Sequence, residues 1–272
     1  MSVLQPKIKL NEIEFNIKHY QDIFDKFSKF IEKSNVICLP EYWNGVRKDN
    51  YTDIVHEKSL EFLSKTASRY SAWLIGGSHL MSENGTFRNK SHIFSPSGKL
   101  IGTYNKRNLF GYERYQGILA GEKDFIFKIN DWKSTIRICS DLWNTKDHSS
   151  LIRKEIDVIF SPVLTSLPDQ SYTNYGRFLW HNLAVIRSKE AAVVVVVSDP
   201  ALQAIKKPYW CAGASCIADP SWRFKNKEPL GTNILSSLPD GSEGVVSVNL
   251  NLERIKEQKH YRINMGLMPK EF

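Results

Sequence analysis

Cys139 occupies a position in this sequence from which a thiol can do chemistry. Residues 134–138 have the apolar alternation of a strand, and residues 141–145 break it, so the sulfur follows the end of the strand. Backbone N–H groups of a turn at this point can lower the pKa of the thiol and stabilise an oxyanion. Taken alone, a cysteine at a strand end also fits the role of a small core residue.

Two charged residues stand in matching positions elsewhere in the chain. Glu41 follows the apolar residues 36–39 closely, and Lys106 follows the strand-like residues 100–104. Each of them alone fits a solvated surface side chain. If the strands before Glu41, Lys106 and Cys139 are neighbours, however, the three side chains converge on one rim of a sheet, where open α/β sheets hold their ligands.

The composition is that of a folded chain without a membrane segment. The 272 residues are 42% hydrophobic and 24% charged, and no apolar run approaches the roughly 20 residues that span a bilayer. Residues 1–6 lack the basic start and long apolar core of a signal peptide, so we expect a cytoplasmic protein. The four cysteines have no close-paired spacing and the seven histidines are scattered, which predicts neither a disulfide framework nor a bound metal.

The formal net charge of +8 raises the question of a nucleic-acid partner. Lysine and arginine are dispersed, their densest groups are short, and no aromatic–basic motif of a nucleic-acid module is present. We therefore interpret the charge as a solvated basic surface and predict neither a nucleic-acid nor a membrane partner. An anionic small-molecule substrate stays open.

The order of the helical and strand-like segments predicts an α/β protein with a mixed sheet. Helical spacing of apolar residues predicts helices over residues 11–33, 54–70, 149–156, 175–190 and 252–258. The β-branched residues 193–197 predict a buried strand, and residues 89–104 predict an antiparallel hairpin. Because nothing repeats and no linker divides the chain, we predict one domain over residues 1–272, with residues 261–272 as a C-terminal tail.

Three short motifs resemble, in order, those of the nitrilase, or carbon–nitrogen hydrolase, superfamily. Its glutamate motif is similar to Leu39–Glu41, its lysine motif to Tyr104–Phe110, and its nucleophile motif, Ile-Cys-x-Asp, to Ile138–Asp141. The resemblance extends almost end to end, from residues 3–6 to residues 243–246. It implies a four-layer αββα sandwich, in which two mixed β-sheets pack face to face with helices outside.

The resemblance also implies a Cys-Glu-Lys triad that works without a cofactor. In that scheme Cys139 is the nucleophile and Glu41 is the general base that takes its proton. Lys106 stabilises the tetrahedral oxyanion together with the backbone N–H of Ser140. A thiol is mostly protonated near pH 7, so a base beside it suits this chemistry.

Many members of the superfamily carry a second glutamate in the loop after the lysine. Glu113 is our candidate for it, although Glu122 lies on the same long loop. For the walls of the substrate pocket we predict the side chains of Trp43, Tyr112, Arg114 and Trp143. Of these, Arg114 could pair with a carboxylate of the substrate.

The substrate is less well defined than the triad. The residues after the nucleophile, Leu142–Thr145, lack the proline of many members and are somewhat similar to the glutamine-hydrolysing branch attached to NAD synthetases. We expect hydrolysis of a non-peptide C–N bond of a small amide, of amidase or carbamoyl-amidase type, through a cysteine thioester. A nitrilase with the same triad and an inactive homologue that serves as a binding partner are the alternatives. The resemblance also implies a homodimer or higher homo-oligomer, paired through a helical face.

Overall fold

The computed structural model describes residues 1–206, 208–221, 233–238 and 240–268. Within these ranges the strands are β1 (Ser2–Gln5), β2 (Val36–Cys38), β3 (Trp73–Ile75), β4 (His79–Glu83), β5 (Thr86–Phe94), β6 (Leu100–Asn105), β7 (Ile126–Ile129), β8 (Trp132–Ile136), β9 (Val158–Pro162), β10 (Val194–Ser198), β11 (Gln203–Lys206), β12 (Tyr209–Cys211), β13 (Cys216–Asp219), β14 (Asn233–Ser237) and β15 (Gly244–Ser247). The α-helices are α1 (Ile13–Lys26), α2 (Ser28–Ile31), α3 (Asp53–Arg69), α4 (Gly111–Tyr115), α5 (Thr145–Arg153), α6 (Thr173–Ala191) and α7 (Leu252–Asn264).

The described strands form two large mixed sheets and a small hairpin. In the first sheet the order is β15-β1-β2-β3-β5-β4. Strands β3 and β4 pair with different ends of β5 along one edge, and β6 pairs along its opposite edge. In the second sheet the order is β14-β13-β10-β9-β8-β7. Strands β1 to β3 are parallel to one another, as are β8 to β10, whereas their outer neighbours are antiparallel. The prediction of two mixed sheets is confirmed.

Strand alternation divides the side chains of the first sheet between two cores. Val3, Cys38 and Ile75 lie in a buried cluster with residues of β8, β9 and β10, and therefore face the second sheet. The alternate positions lie in another cluster under α1 and α3, which contains Leu4, Ile37, Leu74, Tyr20, Phe24, Phe62 and Leu63. Helix α6 packs on β10 and β13 of the second sheet. The four-layer αββα sandwich is therefore confirmed.

Several elements depart from the sequence-based expectation. The helix predicted over residues 11–33 is interrupted at Phe27, which separates α1 from α2. The last helix, α7, continues to Asn264, so the first residues of the predicted C-terminal tail are helical. Its buried residues Ile255, Gln258 and Arg262 supply the reason, because their packing holds the helix beyond its own propensity. No described helix is long and apolar enough to cross a membrane, and the cytoplasmic location stays a prediction.

Candidate active site

Glu41, Lys106 and Cys139 lie together in a buried cluster between the two sheets. Glu41 comes shortly after β2 and Lys106 directly after β6, both in the first sheet, whereas Cys139 follows β8 in the second. The three strands are therefore not neighbours in one sheet, since β2 and β6 are separated by β3 and β5 and β8 belongs to the other sheet. Packing of the two sheets brings the residues together, and their exposed fractions are 2%, 1% and 9%.

The Glu41 carboxylate accepts hydrogen bonds from three directions. Its Oε1 lies 2.8 Å from both Lys106 Nζ and Asn89 Nδ2, and its Oε2 lies 3.0 Å from the backbone nitrogen of Leu164. Burial raises the pKa of Glu41, while the Lys106 ammonium opposes the rise. A buried carboxylate with a raised pKa is a stronger base than one in water, so Glu41 is suited to take a proton.

The Lys106 ammonium lies between two carboxylates. Its Nζ is 2.8 Å from Glu41 Oε1 and 2.7 Å from Glu113 Oε2, and its backbone nitrogen donates to Asn89 O at 2.9 Å. Burial by itself lowers the pKa of Lys106, but the neighbouring carboxylates of Glu41 and Glu113 outweigh it and hold the pKa above its ordinary value. Lys106 is therefore cationic at neutral pH and can face a developing negative charge.

Cys139 is the first residue of a 3₁₀ turn, Cys139–Trp143, and its backbone is strained. Its φ is 47°, in the left-handed region that a residue with a Cβ seldom adopts. Its thiol lies close enough to Glu41 and Lys106 for the charges of both to act on it. Burial and the charge of Glu41 raise the pKa of Cys139, with Lys106 opposing. The resting thiol is therefore protonated at neutral pH, with a base next to it.

Asp141 connects the nucleophile turn to the loop after Lys106, a role that the sequence motif did not reveal. Its Oδ1 accepts from the backbone nitrogens of Arg107 and Asn108, at 3.1 and 2.6 Å. Its Oδ2 accepts from Tyr104 Oη at 2.8 Å and from the Ile138 nitrogen at 3.0 Å. A single buried carboxylate thus fixes the position of the nucleophile turn relative to the loop after Lys106.

The structure brings Glu113 into the cluster and leaves Glu122 outside. Glu113 is 2% exposed and accepts from Lys106, from Asn89 Nδ2 at 2.7 Å, from the Phe110 nitrogen and from Tyr42 Oη at 3.1 Å. Glu122 lines a surface cleft with Lys123 and Lys146 instead. The prediction that Glu113 is the second glutamate of the site is consistent with this placement.

Asn89 belongs to the site and Asp199 lies behind it, although sequence reasoning missed both. Asn89 Nδ2 bridges Glu41 and Glu113, and no simple pattern marks this position within β5. Asp199 follows the strand β10 directly, so its position at a strand end was a usable signal. Its carboxylate accepts from Thr165 N, Thr165 Oγ1 and Ala214 N, each at 2.9 Å, and burial raises its pKa to about 7.

The predicted pocket walls have mixed outcomes. The prediction for Trp43 is wrong, because its side chain is fully buried in the core under α1 and α3, where it contacts Tyr20 and Phe62. Trp143 is half exposed and packs edge-on against Trp180 of α6. Of the others, Tyr112 and Arg114 lie exposed on α4 beside Glu113, and Ser140 directly follows Cys139 in the 3₁₀ turn. As contacts of the substrate, Trp143, Tyr112, Arg114 and Ser140 stay predictions.

Within the described ranges, no group of three or more His, Cys, Asp or Glu side chains is placed to hold a metal ion. The cysteines Cys38, Cys139, Cys211 and Cys216 are all buried, and none of them forms a disulfide with another described residue. Of these four thiols, that of Cys139 is the one placed beside both a carboxylate and an ammonium.

The sequence matches the family model described as carbon–nitrogen hydrolase over residues 1–260. Among curated relatives, 2-oxoglutaramate amidase of Bacillus subtilis (strain 168) is 26% identical over 268 residues, which cover 94% of this chain and 92% of the relative. Omega-amidase NIT2-B of Xenopus laevis is 24% identical over 232 residues, covering 79% and 82% of the two chains.

Solved structures show the same fold. Saccharomyces cerevisiae Nit3, described as a member of branch 10 of the nitrilase superfamily, superposes with a TM-score of 0.78 at 22% identity, covering 99% of this chain and 94% of Nit3. An amidase from Nesterenkonia sp. AN1, captured after Michael addition of acrylamide at its active-site cysteine, has a TM-score of 0.75 at 12% identity, with 98% of each chain covered. At these identities the likeness concerns the fold alone.

Proposed function

The chain belongs to the carbon–nitrogen hydrolase family, and from this premise we propose that it cleaves a small amide through a thioester on Cys139. The chain is a hydrolase of C–N bonds, and its amidase-named relatives favour an amide as the substrate. One observation carries the proposal: the Lys106 ammonium contacts the Glu41 carboxylate at 2.8 Å, and both charges act on the buried Cys139 thiol beside them. The proposal includes N-carbamoyl amines, which present the same carbonyl and leaving nitrogen.

In the first half of the reaction, Sγ of Cys139 attacks the amide carbon while Glu41 accepts the thiol proton. The carbonyl oxygen becomes an oxyanion, which faces the Lys106 ammonium and the backbone N–H of Ser140. That N–H stands at the start of the 3₁₀ turn, where the first donors have no acceptor within the turn. Electrostatic stabilisation of this kind lowers a barrier by about 3 kcal/mol for each donor.

In the second half, Glu41 returns its proton to the leaving nitrogen, so that ammonia or an amine departs and a thioester remains. Water then attacks the thioester carbon and gives a proton to Glu41. The C–S bond breaks, the acid leaves, and Cys139 recovers its proton from Glu41. Glu41 therefore acts alternately as base and acid, which its raised pKa favours.

Glu113 supports this cycle by placing Lys106. Its Oε2 holds the ammonium at 2.7 Å, and its Oε1 accepts from Asn89, which also donates to Glu41. We assign it a place in the active site beside the three reacting groups. With two carboxylates around one ammonium, the excess negative charge helps Glu41 to attract the thiol proton.

Mass spectrometry of the intact protein, quenched with acid during turnover of a panel of amides, tests the proposal. We expect a mass increase equal to the acyl group, located on Cys139 after digestion. The adduct is expected in Cys38→Ala, which removes another buried cysteine at a strand end, and not in Cys139→Ala. Normal amide turnover by purified Cys139→Ala would contradict the proposal.

The same triad would add to a nitrile, so the substrate class needs its own assay. Ammonia release measured with amides, N-carbamoyl amines and nitriles distinguishes the three classes, and we expect turnover of amides. An inactive homologue that works as a binding partner would release ammonia from none of them. The intact set of Cys139, Glu41 and Lys106 argues against that alternative.

We further propose that the chain forms a homodimer or higher homo-oligomer through the outer face of α6. Tyr175, Phe178 and Ile186 on this helix are 58%, 67% and 49% exposed, and Tyr172 precedes them at 53%. Large exposed apolar side chains grouped along one helix are typical of protein interfaces. Sedimentation of the wild type and of Phe178→Asp tests the proposal, and we expect the substitution to favour the monomer.

A further inference from the structure

We propose that the Arg47 guanidinium binds a carboxylate of the substrate, so that the enzyme selects amides whose acid portion carries a negative charge. The inference rests on the proposed amidase function and adds the chemical class of the substrate. It also replaces Arg114, which the sequence pattern favoured for this contact, with a residue that no motif marked.

Arg47 is connected to the catalytic cluster through the ring of Tyr42. Its Cζ lies 4.8 Å from the ring centroid of Tyr42 and 5.6 Å from that of Tyr112. The hydroxyl of Tyr42 donates to Glu113 Oε1 at 3.1 Å. One end of the buried Tyr42 ring is thus fixed within the cluster, and its face supports the guanidinium. The Arg47 backbone is held as well, because its nitrogen donates to Asn11 Oδ1 at 3.0 Å.

The donors of this guanidinium are not used by carboxylates of the described chain. Arg107 and Arg137 pair with Asp124, and Arg187 pairs with Glu190. Arg47, although partly buried, makes no ion pair with a described residue and contacts aromatic rings instead. A planar guanidinium presents N–H groups in a fork that matches a carboxylate, and stacking on rings holds it in place for that purpose.

Electrostatics supply the reason that such a cation is needed. The cluster holds two carboxylates, Glu41 and Glu113, around the single ammonium of Lys106. A substrate that brought another negative charge would be repelled unless a cation lay close to the reacting carbonyl. Burial raises the pKa of Cys211 on β12, and the charge of Arg47 opposes this rise.

The neighbouring cations are less suited to this role. Lys48 Nζ donates to Gln116 O at 2.8 Å and lies over the ring of Phe87, so its charge is already engaged. Arg114 is exposed on α4 and has no ring or carboxylate to fix its side chain among the described residues. Arg47 lies near Glu113 because both contact Tyr42. Aromatic rings hold its guanidinium in place, and no carboxylate of the described residues neutralises its charge.

Kinetics with a matched pair of amides test the inference. The pair is glutaric acid monoamide, which carries a carboxylate, and pentanamide, which has the same chain length without the charge. We expect the wild type to prefer the charged amide, and Arg47→Gln to lose about 30-fold in kcat/KM for it, mostly through KM, as for a lost charge-assisted hydrogen bond. Pentanamide should change by less than about threefold, because its reaction does not involve the lost charge.

Two further variants complete the kinetic test. Arg69→Gln, a remote surface arginine paired with Asp25, should leave both substrates unchanged. Arg114→Gln tests the sequence-based alternative directly. Selective loss of the charged substrate in Arg114→Gln, or equal loss of both amides in Arg47→Gln, would overturn the inference.

A binding measurement separates this inference from the proposed reaction. Calorimetric titration with glutarate, the dicarboxylate product, requires no turnover. We expect binding by the wild type and by Arg69→Gln, and binding at least about tenfold weaker by Arg47→Gln. If the wild type binds glutarate through Arg47 but hydrolyses no amide, the proposed reaction fails while the carboxylate site stands. If glutarate binding is the same in Arg47→Gln, the carboxylate site fails whatever the activity.

Discussion

Lys106 Nζ lies 2.8 Å from Glu41 Oε1, and both side chains are shielded from solvent. The two residues are separated by 65 positions in the chain and come from non-adjacent strands of the first sheet. Glu113 binds the same ammonium from the other side at 2.7 Å. Because a buried ammonium between carboxylates keeps its proton, this pair supplies a fixed positive charge next to the Cys139 thiol.

Removal of this charge should stop the reaction. We expect Lys106→Met, which keeps the length of the side chain, to lower kcat at least about 100-fold because the oxyanion loses its main partner. Two buried carboxylates would be left without a cation, so the free energy of unfolding should also fall by about 3 kcal/mol or more. Steady-state kinetics and urea denaturation measure the two effects.

Lys90→Met is the matched control for the lysine. Lys90 is also buried and paired with a glutamate, Glu83, but it lies outside the catalytic cluster. We expect this variant to lose stability and to keep turnover. Near-normal kcat in Lys106→Met would contradict the role of Lys106 in catalysis.

Glu41→Gln should separate the reactivity of the thiol from turnover. The charge of Glu41 raises the pKa of Cys139 beyond the effect of burial, while Lys106 opposes both. Loss of that charge should therefore lower the pKa of the thiol and keep or increase its alkylation by iodoacetamide at neutral pH. Amide turnover should nevertheless fall about 100-fold or more, because no group can carry protons to the leaving nitrogen.

Peptide mapping after brief alkylation measures the first effect, and ammonia release measures the second. In both proteins we expect Cys139 to be labelled before Cys38, Cys211 and Cys216, whose pKa values burial raises without an adjacent ammonium. A parallel loss of alkylation and turnover in Glu41→Gln would mean that Glu41 acts only by activating the thiol.

Asp199 should be a positioning residue for Glu41. It binds both the backbone nitrogen and the hydroxyl of Thr165, and the preceding residue, Leu164, donates its N–H to Glu41 Oε2. In Asp199→Asn an amide NH₂ group would face N–H donors, so the segment should shift. We expect kcat to fall at least about tenfold with KM nearly unchanged, because the effect reaches the base and not the bound substrate.

Asp157→Asn provides the comparison for Asp199. Asp157 is also a buried acid that accepts from a backbone nitrogen, that of Lys133, but it lies at the start of β9 and not near Glu41. We expect this variant to lose stability without a change in kcat. Equal losses of kcat in the two variants would refute a specific connection between Asp199 and the base.

His148 should make the protein sensitive to acid. Burial and the nearby Arg187 lower the pKa of His148 to about 4 in the folded state. In the unfolded state the ring has its ordinary pKa of about 6.5. Between these two values the unfolded chain takes up a proton that the folded protein does not. Stability contributed by the neutral ring is complete above pH 6.5 and is lost as the pH falls from 6.5 to 4. The slope from this single group is at most about 1.4 kcal/mol per pH unit.

Urea denaturation of the wild type and of His148→Gln at pH 7 and pH 5 measures this slope. Glutamine can still donate to Arg187 O, which accepts from His148 Nε2 at 3.0 Å, but it does not titrate. We expect the variant to lose less stability than the wild type over this interval. His260→Gln, an exposed position on α7, should keep the wild-type slope. Identical slopes in the wild type and His148→Gln would show that His148 does not contribute.

The α/β class with mixed strand pairing followed from local features of the sequence, whereas the four-layer sandwich and the roles of the reacting groups were implied by the resemblance of three motifs. Alternation of apolar residues marks strands, helical spacing marks helices, and the three motifs around Glu41, Lys106 and Cys139 stand at strand ends. These features are local because each depends on the period of one element. For the same reason they could not reveal β4 or the extension of α7 to Asn264, which depend on partners outside the element itself.

The sequence by itself determined which chemical groups this protein has and at which strand ends they stand. Only the tertiary structure decided that Cys139 comes from a different sheet than Glu41 and Lys106, and that Asn89 joins two carboxylates. It also buried Trp43 in the core and set Arg47 against the Tyr42 ring. The physical reason is that contacts between side chains depend on how the layers of helices and sheets pack in space. The pattern of apolar residues records the period of each helix or strand, but not where that element lies against its neighbours.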